Sequence, residues 1–441
     1  MKKMLSLLLV TAMATAVLAG CGTKDNGSEG STNGDTAHGD VSISFYTTET
    51  GKDDMFQELI DDFESKNSGI KVEYIAAGDD QLQKWMSLYA SNDGPTVSLM
   101  DPINIYENQA RLLEFTADNA PFLQNIEDGA LSTLTFDGKI YGAPMSAAGI
   151  GILYNKEVLD NAVGGDFDPA TIKTASDLEA LFEKIEATGV AASMVTGVNW
   201  SLGAHFLGQT YGEAIGTVEE RVAYVDRLKE GNVSLANDDV FNGYMDTLDL
   251  LAKYNFNKAD PLVGNVNLDA EALATGKAAT WFMGDWAWTY LADIVEDGQE
   301  FGILPIPHNN DASNPVNQSI PTSFAKGYAV DASQNTEAQQ KAGLKFIEYL
   351  TSDKDAHKVL AKVTGQAYPY KNFDETIESP LGRATAEYIA KGLTYDFYGT
   401  ANLLPSDIWY ECGAYMSEYL AGASTRDKLA TSIEAYWKNA K

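Results

Sequence analysis

The residues with chemistry to offer are aromatic and acceptor side chains at the ends of apolar runs. Thr280-Trp281-Phe282-Met283 reads as a strand, and Gly284-Asp285-Trp286 follows at its end. Tyr46 to Glu49 stand in the same place after the run that begins at Val41, and Asp101 stands after Met100. Ligands of open parallel sheets bind outside the carboxyl ends of strands. An indole there can stack on the apolar face of a sugar ring, while a carboxylate accepts from its hydroxyls. Trp286 is expected to stack, and Gly284 and Asp285 to contact hydroxyls. The set suits a neutral, polyhydroxylated ligand.

Enzyme chemistry finds little support. There is no G-x-S-x-G, G-x-x-x-x-G-K, G-x-G-x-x-G, H-E-x-x-H or C-x-x-C. The histidines His38, His205, His308 and His357 are spread far apart. A zinc site or a histidine-based triad would need long-range assembly from those few. No metal, cofactor or catalytic residue is therefore expected. The 63 acidic residues always offer some carboxylate pair, so a pair is no signal for a glycoside hydrolase. A secreted glycoside hydrolase stays open as an alternative, as does a binding protein for a polyamine or peptide.

The elements that must position these residues follow from periodicity. Val41–Tyr46 and Ile70–Tyr74 alternate apolar and polar residues, a strand signature. Between them Met55, Phe56, Leu59, Ile60 and Phe63 mark one face of a helix, which Asn67-Ser68-Gly69 ends. Strand, helix, strand is a βαβ unit and predicts a parallel sheet. Leu82, Trp85, Met86 and Tyr89 predict a second helix, and Val97–Met100 a third strand. Ser176-Asp177-Leu178-Glu179 and Thr336-Glu337-Ala338-Gln339 read as capping boxes. Leu429, Ile433, Tyr436 and Trp437 predict a terminal amphipathic helix. The body is α/β, without an internal repeat.

Charge and composition narrow the partners. With 31 basic and 63 acidic residues in 441, the formal net charge is −32. That argues against nucleic acid and anionic lipid headgroups, and favours a soluble monomer. Apolar residues at 44% are ample for packed cores. The length suggests two or three domains, or one large two-lobed body.

The first residues read as an address. Lys2 and Lys3 precede the apolar stretch Met4–Leu18, which is short of the roughly 20 residues a spanning helix needs. Residues 1–20 are read as a signal peptide. Leu18-Ala19-Gly20-Cys21 is the lipobox pattern of bacterial lipoproteins, with Cys21 as the lipidated residue. Residues 21–40, rich in Gly, Ser, Asn and Asp, form a disordered tether. The other cysteine, Cys412, is left without an intramolecular partner, so no disulfide is predicted.

Several further segments carry a resemblance. They are Phe63–Glu73, Asp137-Gly138-Lys139-Ile140-Tyr141-Gly142-Ala143-Pro144, Leu153-Tyr154-Asn155-Lys156, Thr275-Gly276-Lys277-Ala278-Ala279 with Gly284-Asp285-Trp286, and Leu304-Pro305-Ile306-Pro307. In this order and spacing the chain resembles the extracellular solute-binding protein family 1, the maltose-binding-like lipoproteins of carbohydrate ABC transporters. Pro95-Thr96-Val97 departs from the family's usual Pro-Asp-Val. The resemblance implies a two-lobed periplasmic-binding-protein-like fold with a ligand cleft between lobes and multiple interlobe crossings. Mapped here, lobe 1 would be 41–148 and 265–325, and lobe 2 would be 149–264 and 326–441. Crossings would fall near Ala147–Ile152, Pro261–Asn267 and Ser323–Val330. Trp200 and Tyr368, with Trp409, would add second-lobe contacts to Tyr46, Glu49, Asp101, Gly284, Asp285 and Trp286. The resemblance further implies an oligosaccharide ligand, ABC transporter permease subunits as partners, and no catalysis. The membrane is met through the lipid anchor only, at the extracytoplasmic face; tether and lipobox fit a Gram-positive cell surface, and a Gram-negative lipoprotein stays open as an alternative.

Overall fold

The computed structural model describes residues 40–440 except 50, 79–80, 128–129, 214–217, 325, 364–365, 397–403 and 406. Cys21, His38, the segment read as signal and the segment read as tether up to residue 39 lie outside the described residues. The strands are, in chain order, β1 (Val41–Thr47), β2 (Ile70–Ala76), β3 (Val97–Met100), β4 (Thr135–Phe136), β5 (Lys139–Ile140), β6 (Ala143–Pro144), β7 (Ala148–Asn155), β8 (Thr280–Gly284), β9 (Phe301–Leu304), β10 (Ile320–Ser323), β11 (Gly327–Val330) and β12 (Thr394–Asp396).

The predicted βαβ unit is present. β1 runs parallel to β2 and β3, and the helix Asp53–Lys66 between β1 and β2 buries Met55, Phe56, Leu59, Ile60 and Phe63. The next helix, Gln81–Ala90, differs from expectation: Trp85 and Tyr89 are buried, but Met86 is exposed. Polar anchors turn the helix that way. The Trp85 indole donates to Ser98 Oγ at 2.9 Å, and Tyr89 Oη donates to Asp331 at 2.9 Å. Thr336 and Gln339 form the predicted capping box. In the earlier helix, Ala175–Ala187, Thr174 caps instead of Ser176. Leu429, Ile433 and Trp437 are buried on the final helix, Arg426–Asn439.

The strands form two five-membered sheets and a two-stranded ribbon of β4 and β5. The first sheet has the order β2-β1-β3-β11-β6; the second has β12-β10-β7-β8, with β9 also paired to β7. The expected segment assignment is corrected by this pairing. β8 is antiparallel to β7 over Ile150–Tyr154, and β10 also pairs β7, so 265–325 belongs with the second sheet. β11 pairs β3 and β6, so the chain after 326 returns to the first. It leaves again before the helix Pro380–Ala390, which packs on β7, β9 and β10.

The chain thus passes between the bodies at 145–147, between Ser323 and Lys326, and between Phe373 and Pro380. The expected return near Pro261–Asn267 does not occur. Backbone bonds tie the crossings together: Met145 N donates to Lys326 O at 3.0 Å, and Ala147 N to Ala367 O at 2.7 Å.

Candidate functional site

The ends of β1 and β3 carry a charged cluster. Glu49 follows β1, Asp101 follows β3, and Lys326 lies on the crossing just before β11. Since β11 is antiparallel to β3, all three meet at one sheet edge. Lys326 Nζ donates to Thr48 Oγ1 at 2.6 Å and lies 3.2 Å from Asp101 and 3.6 Å from Glu49. Lys52, nearly fully buried, also pairs with Glu49. Burial alone would raise the Glu49 carboxyl, but Lys52 and Lys326 outweigh it and hold it below its ordinary value. Burial would lower Lys326; Asp101 and Glu49 reverse this and hold it above its ordinary range. Sequence reasoning missed both lysines, because nothing local distinguishes them from the other 29 basic residues.

The matching edge of the second sheet carries aromatic rings. Residues 191–195 run parallel beside β8, with Val195 opposite Phe282 and Phe282 N donating to Met194 O at 2.9 Å. The chain therefore leaves this edge where Gly284 ends β8, and Trp200 and Trp286 emerge together. The chain at Trp200 is a π-helical turn, Trp200–Phe206. It packs closely on the helix Ile408–Leu420. A Cβ on Gly203 would stand 2.5 Å from Trp409 O, and one on Gly413 would collide with the Asn199 carbonyl. Trp200 is 37% exposed, while Trp286 and Trp409 are half-buried. The imidazole of His205 sits between two indoles, with centroids 5.3 Å from Trp200 and 4.8 Å from Trp286. Burial lowers its pKa to about 3, so the ring is neutral.

Three expected contacts sit elsewhere. Tyr46 is fully buried, and its hydroxyl donates to the Gln81 carbonyl, so it belongs to the core of the first body. Tyr368 belongs to the first body as well, not the second. Its ring stacks on Phe373 at 4.6 Å, and its hydroxyl donates to Leu360 O at 3.0 Å. Asp285 is fully buried and already engaged. It accepts from Gly149 N at 2.9 Å, Thr385 Oγ1 at 2.8 Å and Gln366 Nε2 at 3.4 Å. Gln366 in turn accepts from Ser146 Oγ at 2.8 Å. Asp285 is thus a node that ties the end of β8 to β7, to the helix Pro380–Ala390 and, through Gln366, to Ser146 on the first crossing. Burial raises its pKa to about 7, against those three bonds and the charge of Lys52, all of which lower it. In the first body, carboxylates and ammoniums alternate from Asp101 through Lys326 and Glu49 to Lys52.

The elsewhere-placed groups explain themselves. Cys412 is buried, and burial raises its thiol pKa well beyond the usual range, as for a packing residue. Among the described residues, Asp62, Asp353 and Asp355 are close enough to share a cation, but Lys66 Nζ already lies 2.8 Å from each.

Two α/β bodies joined by three crossings, with polar and aromatic groups on their matching edges, define a two-lobed solute-binding protein. Residues 58–410 match the family described as bacterial extracellular solute-binding protein, and the chain belongs to that family. It is 29% identical over 265 residues to an uncharacterized ABC transporter extracellular-binding protein of Pyrococcus horikoshii, and the match spans 58% of the length of each chain. It is 24% identical over 391 residues to the multiple sugar-binding protein of Streptococcus mutans, covering 86% of this chain and 85% of that one. The structure of RafE in complex with raffinose matches with a TM-score of 0.72 at 18% identity, covering 90% of this chain and 99% of that one. That last likeness is one of fold.

Proposed function

We propose that the protein captures a neutral oligosaccharide between its two lobes and delivers it to the permease of an ABC transporter. It does no chemistry on the ligand. Cys21 carries a lipid that holds it at the outer face of the membrane, and it acts as a monomer. The observation that carries the reading is Trp286 at the end of β8, half-buried beside Trp200 and His205. An aromatic wall of this kind gives apolar contact to sugar ring faces. The opposite edge supports the same reading. Glu49, Lys52, Lys326 and Asp101 balance one another, so they offer hydrogen bonds to hydroxyls with little net charge to attract an ion. Glu49, Asp101, Trp200, Trp286 and Trp409 remain the candidate contacts; Gly284 acts by making room for the Trp286 indole. The names of the multiple sugar-binding protein and of the raffinose complex agree with this class of ligand.

Calorimetry of the purified protein against neutral oligosaccharides, spermidine and short peptides tests the proposal. Binding of a sugar, with no reducing sugar released on incubation, is the expected result. Spermidine or peptide binding in its place would overturn the ligand class, and sugar release would overturn the non-catalytic reading. Solution scattering should also show a smaller radius of gyration with saturating sugar, as expected for hinge closure about the three crossings.

A further inference from the structure

Tyr154 stands at the far end of β7 from the crossing at 145–147, and its cross-strand partner on β9 is Gly302. A Cβ on Gly302 would lie 2.3 Å from the Tyr154 hydroxyl, so the phenol lies across β9 where only glycine leaves room. Phe167 meets the ring edge-on at a centroid distance of 5.5 Å and fixes it there. Tyr154 is only 7% exposed, yet among the described residues nothing bonds its hydroxyl. A buried phenol ordinarily finds a partner. Burial raises its pKa to about 12, so the hydroxyl keeps its proton and can donate. Tyr154 and Gly302 line a cavity of about 310 Å³, walled by the helix Pro380–Ala390 and by the segment 168–172. That volume is at the small end of ligand pockets. The outer edge of β9 forms its floor. Lys156 N donates to Glu300 O at 2.9 Å, so Gly302 and Leu304 turn their backbone groups toward β7, and Phe301 and Ile303 turn theirs outward. Tyr388 Oη donates to Ile303 O at 3.2 Å. Among the described residues, nothing pairs with Phe301 N, Phe301 O or Ile303 N.

We infer that this cavity is a second binding site, apart from the cleft, which takes a short extended peptide with free termini. Buried strand edges call for partners, and an extended peptide supplies them at strand spacing. Its carbonyls can accept from Phe301 N and Ile303 N, and its amide can donate to Phe301 O. The Tyr154 hydroxyl then donates to a further carbonyl of the peptide. The rim carries Lys156, Arg383 and Lys391 beside Asp168, Glu300 and Glu387, three charges of each sign. A simple ion of either sign meets attraction and repulsion there together. The two ends of a short peptide, one ammonium and one carboxylate, match it. The limited volume restricts the occupant to about two or three residues.

The test is calorimetry of the intact protein with trialanine and with N-acetyl-trialanine amide, repeated on Tyr154→Phe, Ala170→Trp and Trp286→Ala. Trialanine should bind one-to-one with a Kd below about 1 mM. The blocked peptide, which lacks both terminal charges, should bind at least about threefold more weakly. Tyr154→Phe should weaken trialanine by about five- to tenfold, the loss expected of one hydrogen bond. Ala170 is exposed on the cavity wall, so Ala170→Trp fills the cavity without threatening the fold and should abolish binding. Trp286→Ala should leave trialanine binding within about twofold of the parent protein, because the cavity lies away from the cleft. No binding of trialanine by the parent protein would overturn the inference. So would unchanged affinity in both Tyr154→Phe and Ala170→Trp. Loss of trialanine binding in Trp286→Ala would put the peptide in the cleft instead. Equal or tighter binding of the blocked peptide would overturn the free peptide as ligand.

Discussion

Gly284 lies directly beneath the indole of Trp286, so that a Cβ at Gly284 would run into the six-membered ring. The missing side chain lets the indole fold back over the end of β8 and pack on both hydrophobic clusters of the second lobe while one part stays exposed. Gly284→Ala should therefore displace the indole. We expect a shifted tryptophan emission and weaker sugar binding in calorimetry, with the α/β fold retained. Trp286→Ala should cost on the order of 2–4 kcal/mol of binding, as for an interface hot spot. A large fall in melting temperature with unchanged affinity in both variants would make Trp286 a core residue and not a contact.

Asp285 should give the stability a measurable pH slope. Its pKa is raised from 3.8 to about 7 by burial. Between those values the folded state holds a proton that the unfolded state has lost. Stability then falls as pH rises through this window, by at most about 1.4 kcal/mol per pH unit from this group. Asp285→Asn removes the titration. Denaturant unfolding from pH 4 to 8 should show the variant gaining on the parent protein as pH increases. Parallel curves would mean that Asp285 is ionised throughout.

Lys326 joins the second crossing to the ends of β1 and β3. Lys326→Met should leave Asp101 without its partner and Glu49 with Lys52 alone, at a cost of about 1.5–3 kcal/mol of stability. Adding Asp101→Asn should recover part of that loss, because the carboxylate left without a partner is then removed. Equilibrium unfolding of the single and double variants checks this, and additive losses would argue against the coupling.

Cys21 is the proposed lipid acceptor at the end of the apolar leader. Cys21→Ala should release the protein from detergent-extracted membranes or leave it as the precursor. Phase partitioning and mass measurement of the parent and variant report the outcome. Detergent partitioning that persists in Cys21→Ala would place the anchor elsewhere.

Local spacing determined much of this protein. Alternation in Val41–Tyr46 and Ile70–Tyr74, the helical face from Met55 to Phe63, and the cap at Thr336 each depend on residues a few positions apart. The parallel βαβ unit followed from them, and so did the position of Trp286 just past a strand. Tertiary structure decided the rest, because it turns on which distant segments meet. The pairing of β8 and β10 with β7 moved 265–325 into the second lobe. Burial took Tyr46 and Asp285 out of ligand reach, and packing on Phe373 placed Tyr368 in the first lobe. Lys52 and Lys326 look like any other lysines along the chain. They become part of a charge cluster only where the ends of β1 and β3 and a crossing segment converge. His205 is likewise one isolated histidine in the sequence. A π turn, pressed against Gly413 more than two hundred residues later, puts its ring between two indoles.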